Sequence, residues 1–123
     1  KDYLRALRLR AVICREVDEA MAPFDALIAP ARLTVASPID EPFLNPARGV
    51  LRDVIGAVGN GAGLPAISVP NGFNDKGLPT GLQIMGRAYE ENKVLSVARV
   101  YQSLTDWHLQ HPPDLVPLAR ERC

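Results

Sequence analysis

The constraint that narrows the fold most is a pair of matched segments, Gly63-Leu-Pro-Ala-Ile-Ser-Val-Pro70 and Gly77-Leu-Pro-Thr-Gly-Leu-Gln-Ile-Met-Gly86. Each opens on Gly-Leu-Pro and runs into a short apolar stretch, and the polar Asn74-Asp-Lys-Gly77 separates them. Asn and Asp bond their own backbone in turns, and Gly77 can take positive φ without steric cost. The pattern predicts a hairpin with strands over Ala66–Val69 and Thr80–Met85. Leu82 and Ile84 then share one face of the second strand, and Gln83 and Met85 the other.

Other elements follow around this hairpin. Leu4, Leu7, Ala11, Cys14, Val17 and Met21 recur at spacings of three or four, which predicts a helix from Lys1 to about Met21, ended by Pro23. Asp25-Ala-Leu-Ile-Ala-Pro30 is a short apolar run between turn residues and suits a strand buried on both faces. Residues 31–49 carry Pro38, Pro42 and Pro46 with little periodicity, an irregular connection long enough to serve function or to wrap another element. Val50 to Val58 predicts a short helix with Val50, Val54, Ile55 and Val58 inward. A last helix opens at Glu90 or Glu91 with Val94, Val97, Ala98, Tyr101 and Leu104 as its apolar stripe, and stops near Asp106-Trp-His. Residues 114–123 read as a frayed tail.

Three strands and two or three helices give an α/β fold class, yet two of the strands must be edges, and apolar edges in water invite aggregation. Helical periodicity also runs from the first residues with no capping side chain before it. Both observations lead us to expect residues 1–123 to be part of a larger single domain, with the remainder of that domain as its partner.

Composition removes several function classes. Fourteen Lys and Arg balance fourteen Asp and Glu, so the charge offers no capture of nucleic acid or of an acidic membrane. No apolar run reaches the roughly 20 residues of a membrane span, and no secretory or transit signal is evident, so a cytoplasmic location is expected. The two cysteines, Cys14 and Cys123, lie far apart with no metal-like spacing and read as buried or idle thiols in preference to a disulfide.

Candidate chemistry is sparse. Gly59-Asn-Gly-Ala-Gly63 resembles a phosphate loop only superficially, because it leads into a strand where such a loop must open a helix. Close backbone packing or a tight turn is the better use. His108 and His111 could share a helix face, but no carboxylate or thiol completes a metal site and Pro112-Pro113 break the helix, so a surface helix end is the expected reading. Ser68 with Lys76 or Lys93 is a formal Ser–Lys combination; Ser68 lies inside an apolar strand, however, and Lys76 at a turn tip. Gln83 reads as a structural hydrogen-bonding residue, with a substrate contact as the alternative. Asp53, just before an apolar segment, is either an exposed helix-start carboxylate or a functional one.

Several ordered motifs together resemble the amidase signature family near its C-terminal end. Asp25-Ala-Leu-Ile-Ala-Pro30 is similar to its Asp-x-Leu-Leu-x-Pro strand, Asn60–Pro70 to its Asn-Leu-x-Gly-Leu-Pro-Ala-x-Ser-Val-Pro segment, and Gly77–Gly86 to its Gly-Leu-Pro-x-Gly-Leu-Gln. Thr105-Asp-Trp-His108 and Pro112-Pro113 also resemble the family's ending. The resemblance implies the C-terminal part of a large α/β domain with a mixed sheet wrapped by helices. It implies hydrolysis of a carboxamide C–N bond, in a free amidase or in the A-type component of an amidotransferase, by a Lys, a Ser joined through a cis peptide and a nucleophilic Ser. No metal or cofactor is implied, the substrate is a small-molecule amide, and a homo-oligomer is compatible. The sequence departs from the family pattern in one decisive respect: none of its four serines adjoins another. The catalytic set is therefore expected upstream of Lys1, leaving residues 1–123 inactive alone. The resemblance also implies that Asp53 is spaced like a carboxylate that meets the substrate's α-amino group, although Gly56 and Gly59 depart from that branch. The rival expectation is a truncated, non-catalytic paralogue serving as a binding or scaffold module.

Overall fold

The computed structural model describes residues 1–40 and 54–111. Asp53, the first part of the expected Val50–Val58 helix, Cys123 and the 114–123 tail lie outside them. Helix α1 (Asp2–Met21) leads into strand β1 (Leu27–Pro30). Helix α2 (Val54–Ala62), strands β2 (Ala66–Phe73) and β3 (Pro79–Met85), and helix α3 (Glu91–Ser103) follow, with a 3-10 turn at Trp107–Leu109. The chain is of the α/β class. Its strands lie in the order β1-β3-β2, and both pairings are antiparallel.

The hairpin forms as its turn chemistry requires. Asn74 Oδ1 accepts from the backbone N–H groups of Lys76 and Leu78 at 3.0 and 2.9 Å, and Gly77 takes φ +74°. Both strands run longer than the apolar residues alone suggested. Pro70 has no N–H to give the ladder, and the register shifts between Pro70 and Gly72, so β2 continues past Pro70 through a bulge. Ile84 pairs with Ile67, and Leu82 with Val69, on one face. There Val69, Ile84, Val94 and Ala98 form the core, joined by Ile67, Leu82, Val97 and Tyr101. Ile84 is fully buried, and burying such a side chain is worth about 1.5–3 kcal/mol.

The opposite face carries Ser68, Gly81, Gln83 and Met85. Met85 packs against Gly59 of α2, where a Cβ would sit 2.9 Å from Met85 Sδ. Here the expected helix differs from the observed one. Gly59–Ala62, expected as a loop, is the end of α2, and Val58 is 41% exposed while Gly56 and Gly59 are buried. Glycine lowers helix propensity by about 1 kcal/mol per residue, but only a residue without a side chain admits Met85 at this distance. Gly63 (φ +74°) caps the helix, and Leu64 N–H donates back to Gly59 O at 2.9 Å. The terminal carbonyls receive Arg10 Nε–H at Gly61 O, 2.8 Å, and Cys14 S–H at Ala62 O, 3.5 Å. Those two bonds tie α1 to α2.

Three further expectations need correction. Among the described residues strand β1 is not buried on both faces: it pairs with β3 alone, and Leu27 and Ile28 are 38% and 55% exposed while Ala29 is buried. The apolar stripe of α1 is largely uncovered, with Leu4 and Leu7 exposed and only Met21 buried, because among the described residues α1 meets its neighbours through its C-terminal half. Leu104 is exposed rather than part of the α3 stripe, since the helix ends at Ser103.

Candidate functional site

A groove of about 900 Å³ lies over the Ser68–Gln83 face. Its floor is made by Ser68, Thr80, Gly81 and Gln83, and its wall by residues 31–36, which leave β1 and turn across the sheet. Ala31 N–H donates to Gly81 O at 2.8 Å, which fastens this wall to β3 just past Pro30. Thr80 Oγ1–H donates to Asn71 Oδ1 at 2.8 Å, fixing the bulged residue beside the groove. Gly81 keeps the floor open: a Cβ there would lie 3.0 Å from Ser68 Oγ and 3.1 Å from Ala31 Cβ.

Two polar side chains dominate this face. Ser68 is exposed to the groove. Gln83, directly opposite it in the register, has its Oε1 shielded from solvent with no hydrogen-bond partner among the described residues. Buried polar atoms in folded proteins are almost always paired, so an unpaired one calls for a reason.

The residues considered from sequence are separated by the structure. Ser68 acquires no lysine: Lys93 sits on α3, on the other side of the sheet, with Nζ 3.1 Å from Glu90 Oε1 and 3.3 Å from Asp25 Oδ1. Its pKa is raised by the hydrogen bond it donates to Glu90 first and by that to Asp25 second. Lys76 stays at the hairpin tip. His108 and His111 do not share a helix face, because the 3-10 turn ends at Leu109. They line a smaller apolar pocket of about 380 Å³ with Pro70, Gly72, Phe73 and Trp107. Phe73 and Trp107 meet edge to face at 6.2 Å there. No group of three metal-ligating side chains occurs among the described residues. Nor is any described helix long and apolar enough to cross a membrane.

Asp18 and Arg87 form a two-pronged pair, Nε to Oδ1 at 2.8 Å and Nη2 to Oδ2 at 2.9 Å. The hydrogen bond from Arg87 holds the Asp18 carboxyl below its ordinary pKa. The pair clamps α1 to the segment that leaves β3 beyond Gly86. Sequence reasoning missed this clamp, the wall at residues 31–36 and the role of Thr80. Counting outward from the Phe73–Pro79 pair beside the Asn74–Gly77 turn would set Gln83 opposite Val69; the bulge between Pro70 and Gly72 shifts the register by one and brings Ser68 there instead.

The antiparallel hairpin sheet flanked by helices, with an open half-polar groove on one face, places the chain in the α/β class. The chain belongs to the Amidase family, whose profile matches residues 1–95. It is 41% identical to the A subunit of glutamyl-tRNA(Gln) amidotransferase from Legionella pneumophila over 110 residues, 89% of this chain and 23% of that protein. It is likewise 41% identical to the protein of the same name from Methanosarcina mazei, over 94% of this chain and 24% of that one. Among solved structures, the A subunit of glutamyl-tRNA(Gln) amidotransferase from Thermotoga maritima superposes with a TM-score of 0.69 at 37% identity, covering 79% of this chain and 21% of that one. Native peptide amidase from Stenotrophomonas maltophilia gives 0.61 at 32% identity, over 87% and 21%. The chain thus spans about a quarter of the length of the curated relatives it matches.

Proposed function

We propose that residues 1–123 supply sheet and pocket wall to an amidase-signature enzyme that cleaves a carboxamide C–N bond. The Lys, the cis-linked Ser and the nucleophilic Ser are contributed by the remainder of the same domain. One observation carries this reading: the groove is a shaped, half-polar pocket in which the serine on its floor has no base among the described residues. A serine hydroxyl is a poor nucleophile until a neighbouring base takes its proton, and Lys93, the ion-paired candidate, lies across the sheet from Ser68. The family match and the names of its relatives support the reaction class, and both a small-molecule amide and a cytoplasmic setting fit it. A homo-oligomer is compatible with the reading.

The test is ammonia release from a panel of primary carboxamides by the intact protein and by residues 1–123 alone. Turnover by the intact protein and none by residues 1–123 is the expected result. Turnover by residues 1–123 that survives Ser68→Ala would overturn the division of labour. Within the same reading, Asp53 binds the α-amino group of an amino-acid amide. Asp53→Asn in the intact protein should raise KM for such substrates about 10-fold or more, the loss expected when a hydrogen bond to a charged group is removed. Unchanged kinetics would remove Asp53 from the site.

A further inference from the structure

We propose that the sheet of the intact domain continues past β1, where a strand from outside residues 1–123 pairs with the outer edge of β1 at Ile28. The proposal rests on the reading that residues 1–123 supply sheet to a larger domain, and it names the surface through which they do so. Strand β1 bonds to β3 through alternate residues. Ala31 N–H donates to Gly81 O, and stepping back by twos along the antiparallel register puts Ala29 and Leu27 in the same bonding positions, opposite Gln83 and Met85. The N–H and C=O of Ile28 therefore point away from β3. So does the C=O of Pro30, which has no N–H to give. Within β1, Ile28 is thus the residue that offers an outer neighbour both a donor and an acceptor.

The side chains point the same way. Ile67, Ile84 and Ile28 face one another in a single row across β2, β3 and β1. Ile84 in the middle is 0% exposed and Ile28 at the end is 55% exposed, because α3 packs over β2 and β3. A further apolar side chain on a neighbouring strand completes such a row, since cross-strand pairs on one face are what hold sheets together. Strand β1 carries no charge and no bulge, and its proline is its last residue. Strand β2 has Pro70 within it and a bulge directly after, the devices that discourage pairing at an outer edge. The chain spans about a quarter of the curated relatives it matches and covers 21% of the Thermotoga maritima structure. Most of a domain is therefore available to supply the strand, which must set an apolar residue beside Ile28.

The experiment is amide hydrogen exchange on the intact wild-type protein. Ile28 N–H should exchange about 100-fold or more slowly than an unstructured amide, and an unprotected Ile28 would overturn the proposal. Protection that disappears on dilution would assign the edge to a second copy and overturn it equally. Substitution gives an independent readout. A free edge accepts lysine, so a Tm change of less than about 2 °C in Ile28→Lys would count against the added strand. A paired Ile28 inside the sheet predicts a fall of about 10 °C or more, with Ile28→Val, which keeps the N–H and the branched side chain, within about 3 °C of wild type. Ammonia release from carboxamides, measured on the same wild-type preparation, separates the two readings. Turnover with Ile28 unprotected overturns the edge assignment alone, and a protected Ile28 without turnover overturns the amidase reading alone.

Discussion

Replacing Gly86 by alanine tests how tightly α3 is seated on the sheet. A Cβ at Gly86 would lie 2.5 Å from Val94 Cγ2, with Glu90 O at 3.5 Å and Pro65 Cγ at 3.8 Å. Carbon atoms in contact prefer about 3.5–4.0 Å, so about 1 Å of overlap must be absorbed. Val94 cannot readily absorb it. It is 3% exposed, in the core cluster, and its branched side chain has essentially one rotamer on a helix. Forcing an extra carbon into such packing costs about 1–3 kcal/mol. Against this, alanine restricts the unfolded chain, and Gly86 does not have the positive φ that would forbid it, a gain of about 0.4–1 kcal/mol. The net loss is about 1–2 kcal/mol. Urea unfolding of the intact protein measures it, and the decisive comparison is a double-mutant cycle with Val94→Ala. Once the Val94 methyls are gone, Gly86→Ala should be neutral or slightly stabilising, so the double mutant should be more stable than the sum of the singles predicts. The same penalty in both backgrounds would refute the reasoning, because the cost would then arise somewhere other than the Val94 contact.

Two further outcomes follow from local features. Tyr89 holds φ 65° and is 95% exposed; Tyr89→Gly should raise stability by about 0.5–1 kcal/mol in the same urea assay, and a loss would mean that the ring makes a stabilising contact. Asp18 has a depressed carboxyl pKa because Arg87 hydrogen-bonds it, so its contribution is present above the ordinary carboxylate value of 3.8 and disappears as pH falls through the lower folded value. Asp18→Asn should therefore flatten the acid limb of a stability-versus-pH curve below about pH 4, and an unchanged acid limb would remove the pair from the account.

What the sequence disclosed depended on how local the determining physics is. The hairpin was legible because Asn74 and Gly77 act within a few residues of each other, and alternation then set Leu82 and Ile84 on one face and Gln83 on the other. Helix α2 was displaced in the sequence reading because propensity argues against Gly59 and Gly61 inside a helix. The contacts that outweigh propensity come from distant parts of the chain: Met85 at the end of the hairpin, and Arg10 and Cys14 on α1, which lie 51 and 48 residues from the carbonyls they meet. Strand β1 looked fully buried because an apolar run records what a residue can tolerate, not how many neighbours reach it. The groove was least legible. Its wall at residues 31–36 has no periodicity, and Gln83 reveals its unpaired oxygen only once Ser68 and Ala29 are known to flank it.

The manner in which α1 is fastened has a consequence for the order in which the chain opens. Arg10, Cys14 and Asp18 hold it at one-turn intervals, and Met21 is its one buried side chain, whereas everything before Arg10 lies exposed. Isolated helical turns of that length are marginal in water. Amide protons in the first two turns of α1 should therefore exchange with solvent through local fraying, far sooner than those of β3 around Ile84, which wait for the sheet itself to part.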